Sequence, residues 1–191
     1  MKRVSFLHGV GGTGASMQPI ADALALPFPA HCRDGPETFD MGPGRQWFSV
    51  KGMTEVNRPA RIAAAMPAFI RTVETFGDPH DSLLIGFSQG AIMALHAVAA
   101  GLPVARVFAL SGRLAGPIAA RTDWPPITLL HGCADPVMPL AVAQATETGL
   151  KEAGAKPALK IFDGLGHNID ERTLKAICDE LCGVSVPVDP V

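Results

Sequence analysis

The chain has 191 residues, a formal net charge of -2, 48% hydrophobic residues and 18% charged residues. This composition is typical of a globular protein, and the length fits one domain with a substantial core. The near-neutral charge, without a basic block, argues against nucleic acid or an acidic membrane as partner. The four cysteines have no zinc-site spacing, so no metal is expected.

The N-terminus carries two basic residues and only a brief apolar run, which Ser5 interrupts. That run is too short for the apolar core of a signal peptide or for a membrane span. We therefore expect a cytoplasmic protein without membrane insertion.

Apolar runs and periodic segments alternate along the first half of the chain. Residues 4–7 read as a strand, and 16–26 and 57–76 read as helices, with a kink or break expected at Pro67. Residues 28–32 form a candidate strand, which two prolines assign to the edge of a sheet. Residues 34–52 are rich in Gly and Pro and lack periodicity.

The second half repeats the alternation. The pattern predicts strands at 83–85, 104–110, 127–130 and 158–162, with helices after 88, over 139–153 and up to 181. Continuous apolar strands between helices predict an α/β fold with a mostly parallel sheet of about six strands, covered on both faces. We expect one domain over residues 1–183 without a lid domain, and a loose tail over 184–191.

One short segment has the pattern of a catalytic turn. Gly86-Phe-Ser88-Gln-Gly90 follows an apolar strand and precedes a helix, which is the context of a nucleophile elbow. Glycine on both sides lets the strand and the helix cross closely. The alternative is that Ser88 only caps the helix.

The glycine-rich loop after the first strand has two interpretations. Gly9-x-Gly11-x-x-Gly14 fits a dinucleotide fingerprint, with Asp34 as the acidic residue that such sites require. The run before Asp34 is a poor central strand, however, because it contains two prolines. The preferred interpretation is an oxyanion loop, in which the backbone N–H groups of Val10 and Gln89 bind the substrate oxygen.

Three residues past separate strand ends complete a candidate triad. Ser88, Asp135 and His167 follow the chain order of α/β-hydrolase triads, with His167 as base and Asp135 as its orienting partner. Asp135 could instead cap the next helix, and Asp163 or Asp170 could be the acid. Of the other histidines, His8 and His131 are expected to brace loops and His96 to be packed, and His31 and His80 are not expected to belong to a triad.

Candidate pocket residues are Trp47, Phe48 and Met138. The two aromatic residues could equally pack on the core. Arg45 and Arg113 could lie near the mouth and favour anionic substrates, or be ordinary surface arginines.

Several motifs, in register over nearly the whole chain, resemble the phospholipase/carboxylesterase family, which includes acyl-protein thioesterases and small bacterial carboxylesterases. They are Leu7-His-Gly-Val-Gly-Gly-Thr-Gly14, Gly44-Arg-Gln-Trp-Phe48, Gly86-Phe-Ser-Gln-Gly90, His131-Gly-Cys-Ala-Asp135-Pro-Val-Met-Pro139 and Gly166-His167. The resemblance implies an α/β-hydrolase fold, no cofactor, and the triad and oxyanion residues named above. Gly12 departs from the family, which commonly has Asp there. This sequence begins at the oxyanion strand, so the strands that precede it in the family are not expected in this sheet.

The sequence thus predicts a serine hydrolase that cleaves ester or thioester bonds of small to medium acyl substrates. Two alternatives remain at this point: a non-catalytic ligand-binding module on the same fold, and a dinucleotide-binding oxidoreductase. The sequence does not decide between a monomer and a homodimer.

Overall fold

The computed structural model of the protein describes residues 1–75 and 77–182. The tail expected over 184–191 lies outside the described residues. The strands are β1 (Arg3–Leu7), β2 (Ala30–Arg33), β3 (Glu37–Thr38), β4 (Arg45–Gln46), β5 (Ser82–Phe87), β6 (Arg106–Leu110), β7 (Ile127–Gly132) and β8 (Ala158–Phe162). The helices are α1 (Gly14–Leu24), α2 (Arg58–Glu74), α3 (Gln89–Ala99), α4 (Leu140–Glu152) and α5 (Glu171–Cys182), with a 3₁₀ turn at Pro79–Asp81.

Six of these strands form one sheet in the order β2-β1-β5-β6-β7-β8. Every pair of neighbouring strands in it is parallel. Because the strands are parallel, their carboxyl ends share one edge, and the loops that follow them are neighbours there. The predicted fold class, a mostly parallel α/β sheet of about six strands, is confirmed.

The helices cover both faces of the sheet. In the central strand β5, Leu84 packs in the cluster with α2, α3 and α4, whereas Leu83 and Ile85 pack in the cluster with α1 and α5. Alternate residues of a strand point to opposite faces, so a strand covered on both sides needs an unbroken apolar run. That requirement explains the continuous apolar runs in the sequence.

The prolines before β2 mark an edge strand, as predicted. Among the described strands, β2 pairs only with β1, and the Pro29 carbonyl accepts a hydrogen bond of 2.9 Å from the Val4 N–H. Proline is compatible with an edge strand because one side of the strand needs no N–H donor.

Two local expectations were wrong in whole or in part. Of the kink or break expected at Pro67, the break is wrong, because helix α2 continues through Pro67. Four buried side chains on one face hold the helix on both sides of the missing hydrogen bond: Ile62, Met66, Phe69 and Val73. The kink stays a prediction. The aperiodic segment 34–52 also contains an antiparallel pair, β3 and β4. Each of these strands has only two residues and neither is apolar, so hydrophobic periodicity could not reveal them.

The connection from β6 to β7, residues 111–126, contains neither a helix nor a strand, and no lid is inserted between the described strands. No helix among the described residues combines the length and the apolar character needed to span a bilayer.

Candidate active site

The loops after four strands meet at the carboxyl edge of the sheet. They carry Val10 after β1, Ser88 after β5, Asp135 after β7 and His167 after β8. The residues are far apart in sequence, and the parallel topology alone brings them to one edge.

Ser88 occupies a sharp turn between β5 and α3. Its backbone has φ 51° and ψ -114°, and its N–H donates to the Leu110 carbonyl at 2.8 Å. A Cβ added at Gly90 would lie 2.3 Å from the Leu7 oxygen, and one at Gly86 would lie 2.7 Å from Ala91 Cα. Only glycine fits at either position. The Ser88 hydroxyl makes no capping hydrogen bond to α3, which removes the support for the capping interpretation.

The hydroxyl of Ser88 instead contacts an imidazole. Ser88 Oγ lies 3.0 Å from His167 Nε2, and His167 Nδ1 lies 2.7 Å from Asp135 Oδ2. The Nδ1–H donates to the carboxylate, so the Nε2 lone pair faces the serine hydroxyl. This is the arrangement in which an imidazole can remove the hydroxyl proton.

Asp135 is held as an anion. Its Oδ1 accepts hydrogen bonds from the N–H groups of Val137 and Met138, each at 2.8 Å, while Oδ2 faces His167. Burial alone would raise the pKa of the Asp135 carboxyl. The hydrogen bonds from Met138, His167 and Val137 outweigh burial and hold that pKa below its ordinary value.

One of the two competing acids, Asp170, has another role. Asp170 Oδ1 accepts from the Thr173 N–H at 3.0 Å, at the start of α5, and Asp170 Oδ2 pairs with Arg172. It is therefore a helix cap.

The other strand-end histidines brace loops, as expected. His8 Nδ1 donates to the Gly9 carbonyl at 2.7 Å, and its Nε2 accepts from the Gly35 N–H at 2.8 Å. His131 Nε2 donates to the Met138 carbonyl at 2.7 Å and so fixes the loop that carries Asp135.

The dinucleotide interpretation fails at the N-terminus of α1. Asp34 Oδ1 accepts a hydrogen bond of 2.7 Å from the Gly14 N–H, and Thr13 caps the same helix. A pyrophosphate would need those N–H groups, and the Asp34 carboxylate would repel it. A Cβ at Gly14 would lie 2.3 Å from the Cys32 oxygen, so close packing of the chain explains this glycine.

The two candidate oxyanion donors flank Ser88. Gln89 is the first residue of α3, and its N–H belongs to the free end of that helix. Gly9, beside Val10, lies close enough that an added Cβ would be 3.2 Å from Ser88 Cβ.

Sequence reasoning missed the role of the Gln89 side chain. Its Oε1 accepts from the Trp47 N–H at 2.8 Å, and its Nε2 donates to the Phe48 carbonyl at 2.7 Å. These two bonds fasten the segment after β4 to the start of α3. The partners are 41 and 42 residues away in the chain, and no local pattern marks such a contact.

Two cavities of about 250 Å³ each adjoin this centre. The first, which we call the acyl cavity, is lined by Val10, Phe48, Val50, Met53, Arg58, Ser88, Gln89, Ile92, Arg113, Val137 and Met138. The second, which we call the histidine-side cavity, is lined by Gly9, Val10, Gly12, Ser16, Met17, Ile20, Phe87, Asn168 and Ile169. The Phe87 ring lies 5.0 Å from the His167 ring, so the second cavity adjoins the imidazole.

Two of the three candidate pocket residues, Phe48 and Met138, line the acyl cavity, but Trp47 does not. Trp47 is 1% exposed and lies behind the wall, where its Nε1 donates to the His8 carbonyl at 2.9 Å. Its aromatic ring also stacks on His8.

The two candidate arginines also differ. Arg113 lines the acyl cavity. Arg45 instead donates to the carbonyls of Gly35 and Pro36, at 2.9 and 2.8 Å, and fastens the β3–β4 region.

Comparison with known proteins gives the same picture over almost the whole chain. A family model described as phospholipase/carboxylesterase matches residues 2–183. Esterase YpfH of Escherichia coli is 41% identical over 183 residues, which cover 91% of this chain and 79% of that protein. Acyl-protein thioesterase 1 of Neurospora crassa is 30% identical over 210 residues, which cover 93% and 84%.

A solved structure agrees. The crystal structure of esterase PE8 superposes with a TM-score of 0.80 at 29% identity, covering 95% of this chain and 92% of that one. The chain belongs to the phospholipase/carboxylesterase family of α/β hydrolases.

Proposed function

We propose that this hydrolase of carboxylic esters and thioesters works through an acyl-enzyme on Ser88, with His167 as general base and acid and Asp135 as the group that orients it. The observation that carries the proposal is the continuous contact from Ser88 Oγ to His167 at 3.0 Å and on to Asp135 at 2.7 Å.

In the first half-reaction, His167 Nε2 takes the hydroxyl proton while Ser88 Oγ attacks the substrate carbonyl carbon. The carbonyl oxygen becomes negative in the tetrahedral intermediate. When the intermediate collapses, the bond to the alcohol or thiol breaks, and His167 gives its proton to the leaving group. The products of this half-reaction are the acyl ester of Ser88 and the free alcohol or thiol.

In the second half-reaction, water replaces the leaving group beside His167. The imidazole takes a proton from the water, the hydroxide adds to the acyl carbon, and Ser88 leaves with the proton returned from His167. Asp135 remains an anion throughout and stabilises the imidazolium.

The oxyanion is assigned to the backbone N–H groups of Val10 and Gln89. Gln89 contributes from the first turn of α3, where N–H groups have no helical partner and the helix dipole favours negative charge. Donors that are already in place are worth several kcal/mol, since removing one typically costs about 10² to 10³ in kcat.

The two cavities indicate the size of the substrate and its orientation at Ser88. The leaving group must lie within reach of His167, which assigns it to the histidine-side cavity and the acyl group to the acyl cavity. A volume of about 250 Å³ and the lack of a lid among the described residues favour small to medium acyl groups.

Covalent labelling by a fluorophosphonate tests the proposal against a non-catalytic binding module of the same fold. We expect wild type and Ser49→Ala to be labelled and Ser88→Ala to remain unlabelled, with kcat for p-nitrophenyl hexanoate lowered about 10⁶-fold in Ser88→Ala. Ser49 is the matched control because its hydroxyl bonds Asp40 on the surface. A wild-type protein without labelling or hydrolysis would point to the binding module.

We further propose that residues 1–183 form one domain and that the enzyme acts in the cytoplasm. The family match over 2–183 supports the single domain. Cys32 and Cys133 are thiols, which suits a reducing compartment. Cell fractionation that places the protein outside the cytoplasm would contradict the second proposal.

A further inference from the structure

The acyl cavity contains two positive charges that ester hydrolysis alone does not require. Arg58, the first residue of α2, and Arg113, just after β6, line it together with Ser88. The other described lining residues are apolar or uncharged. A cavity that served only neutral acyl chains would gain nothing from two guanidinium groups, because each loses hydration there.

The carboxylate of Glu55 forms ion pairs with both arginines. Glu55 Oε1 and Oε2 accept from Arg113 Nη1 and Nη2 at 3.1 and 2.8 Å, and Oε1 also accepts from Arg58 Nη2 at 2.8 Å. The cluster therefore has an excess charge of about +1.

Exposure differs sharply within the cluster. The Glu55 side chain is 65% exposed, whereas the Arg58 and Arg113 side chains are 16% and 21% exposed. The compensating anion thus lies at the rim, and the excess positive charge lies inward.

Arg58 also retains an unused donor. Its Nε is buried and has no hydrogen-bond partner among the residues that the structure describes. Buried charged donors are almost always paired, so this guanidinium, on a residue that lines the acyl cavity, keeps hydrogen-bonding capacity that the described residues do not satisfy.

We propose that the acyl group carries its own carboxylate, which Arg58 and Arg113 bind, so that the substrates are monoesters or monothioesters of dicarboxylic acids. This inference rests on the proposed acyl-enzyme at Ser88. A carboxylate is favoured over a phosphate because Glu55 already shows that the pair fits a planar carboxylate. One negative charge also balances the excess, whereas a phosphate monoester would exceed it.

The opposing interpretation is structural: Glu55 would simply tie the start of α2 to the loop after β6. Both interpretations predict some loss of stability on removing an arginine, so stability does not separate them. Selectivity for substrate charge separates them, because the loss of a purely structural contact would affect neutral and anionic substrates alike.

The test compares substrates of equal acyl length. The ratio of kcat/KM is measured for p-nitrophenyl hydrogen adipate over p-nitrophenyl hexanoate, and for the hydrogen suberate over the octanoate, after subtraction of spontaneous hydrolysis. We expect wild type to favour an anionic ester about tenfold or more, and Arg58→Met or Arg113→Met to lower that ratio about tenfold. Glu55→Gln should raise it, since the competing carboxylate loses its charge.

Arg61→Met is the matched control. Arg61 lies one turn further along α2 and donates to the Ser49 carbonyl at 2.9 Å. We expect its ratio to equal that of wild type. Thermal unfolding of each variant shows whether a change in ratio comes from a folded protein.

Three outcomes would overturn the inference. They are a wild-type ratio near one at both lengths, a ratio that Arg58→Met and Arg113→Met leave unchanged, and a preference for the carboxylate on the leaving group, measured with 3-carboxy-4-nitrophenyl hexanoate. The first two leave the proposed hydrolysis intact if the neutral esters are cleaved.

Calorimetric binding of adipate and hexanoate to Ser88→Ala separates the two proposals further. We expect adipate to bind more tightly, and Arg58→Met in the same background to remove the difference. Tighter binding of adipate to Ser88→Ala, together with a wild-type protein that hydrolyses neither ester, would support the anion site and refute the proposed function. Equal binding of the two acids would refute the anion site.

Discussion

A serine hydroxyl is a weak nucleophile, and the surroundings of Ser88 supply what it lacks. The turn presents Ser88 in a left-handed backbone conformation with φ 51°, which is costly for a residue with a Cβ. The Leu110 carbonyl and two close-packed glycines hold that conformation. The hydroxyl therefore faces His167 without first having to reorganise.

Replacement of Asp135 by asparagine tests how the imidazole is oriented. In Asp135→Asn, Oδ1 still accepts from the N–H groups of Val137 and Met138, so the loop retains its fold. The amide NH₂ then faces His167 and forces the proton onto Nε2, away from its role as base. We expect kcat to fall about 10⁴-fold with unchanged thermal unfolding.

That prediction is checked with p-nitrophenyl hexanoate hydrolysis, with Asp170→Asn as the control. Asp170 caps α5 and does not touch the imidazole, so its variant should lose some stability and retain near wild-type kcat. Equal losses of kcat in the two variants would contradict the assignment of the acid.

The Gln89 side chain gives a second prediction at this scale. In Gln89→Met the Trp47 N–H and the Phe48 carbonyl lose their partners inside the protein. We expect the free energy of unfolding in urea to fall by about 2 to 6 kcal/mol, since each of the two buried orphaned groups costs about 1 to 3 kcal/mol.

The control for this variant is Gln18→Met. Gln18 bonds Asp22 one turn away on the exposed face of α1, so its replacement should change stability by no more than about 0.5 kcal/mol. A Gln89→Met protein as stable as Gln18→Met would show that the clamp contributes little.

At the scale of elements, a histidine links α3 to the loop after β6. His96 Nε2 accepts a hydrogen bond of 3.0 Å from the Ala115 N–H, a bond that a protonated imidazole cannot accept. Burial lowers the pKa of His96 from its ordinary 6.5 to about 4. Between these two pKa values, His96 is neutral in the folded protein but protonated in the unfolded chain.

The direction in which stability changes with pH follows from this difference. Between pH 6.5 and 4 the unfolded state binds more protons at His96, so stability falls as the pH is lowered through that window. From pH 7 to 5 we expect a loss of about 2 kcal/mol from this residue, by the linkage of 1.36 kcal/mol per pKa unit. Urea unfolding at the two pH values measures it.

The variant His96→Gln isolates this contribution, since the glutamine oxygen can still accept from Ala115 without titrating. Its pH dependence between 7 and 5 should be weaker than that of wild type by the same amount. His80→Gln is the control, because His80 lies in the exposed 3₁₀ turn. Identical pH dependence in wild type and His96→Gln would exclude His96 as the source.

At the scale of the whole molecule, the sequence predicted the sheet because a buried parallel strand needs an apolar run, as in Leu83, Leu84 and Ile85. The same parallel topology allowed Ser88, Asp135 and His167 to be placed at one edge from their positions after strand ends. Chain order and strand ends were enough for that inference.

What the sequence did not predict depends on contacts between distant segments. The burial of Trp47 behind the wall and the clamp of Gln89 on its neighbours are set by tertiary packing. Arg58 falls within the helix predicted over residues 57–76, and nothing local shows that this residue lines the cavity of Ser88. When the role of a residue depends on a contact between two distant loops, the hydrophobic periodicity of the sequence does not reveal it.

A last prediction concerns the joint between α5 and the sheet. Glu180 Oε1 pairs with Lys160 of β8 at 2.8 Å. Its Oε2 accepts from Arg106 of β6 at 3.2 Å and from Thr128 of β7 at 2.7 Å. One carboxylate thus connects the helix that follows the His167 loop to three strands.

Burial alone would raise the pKa of Glu180, but Lys160 and Thr128 outweigh burial and hold that pKa below its ordinary value. A carboxyl whose pKa is lower in the folded than in the unfolded protein stabilises the fold at pH values above its ordinary pKa. This contribution is lost as the pH falls through the folded-state pKa. At pH 7 the contribution is complete, so Glu180→Gln at that pH should lower the free energy of unfolding by about 2 kcal/mol, after discounting for partial exposure.

The neighbouring residue provides the control. Asp179 pairs with Lys175 of the same helix, but the two side chains are 60% and 74% exposed. Asp179→Asn should therefore change stability by no more than about 0.5 kcal/mol. If urea unfolding at pH 7 gives the same small loss for both variants, the carboxylate of Glu180 does not join α5 to the sheet. A large loss in Glu180→Gln alone, shrinking as the pH is lowered, is the expected result.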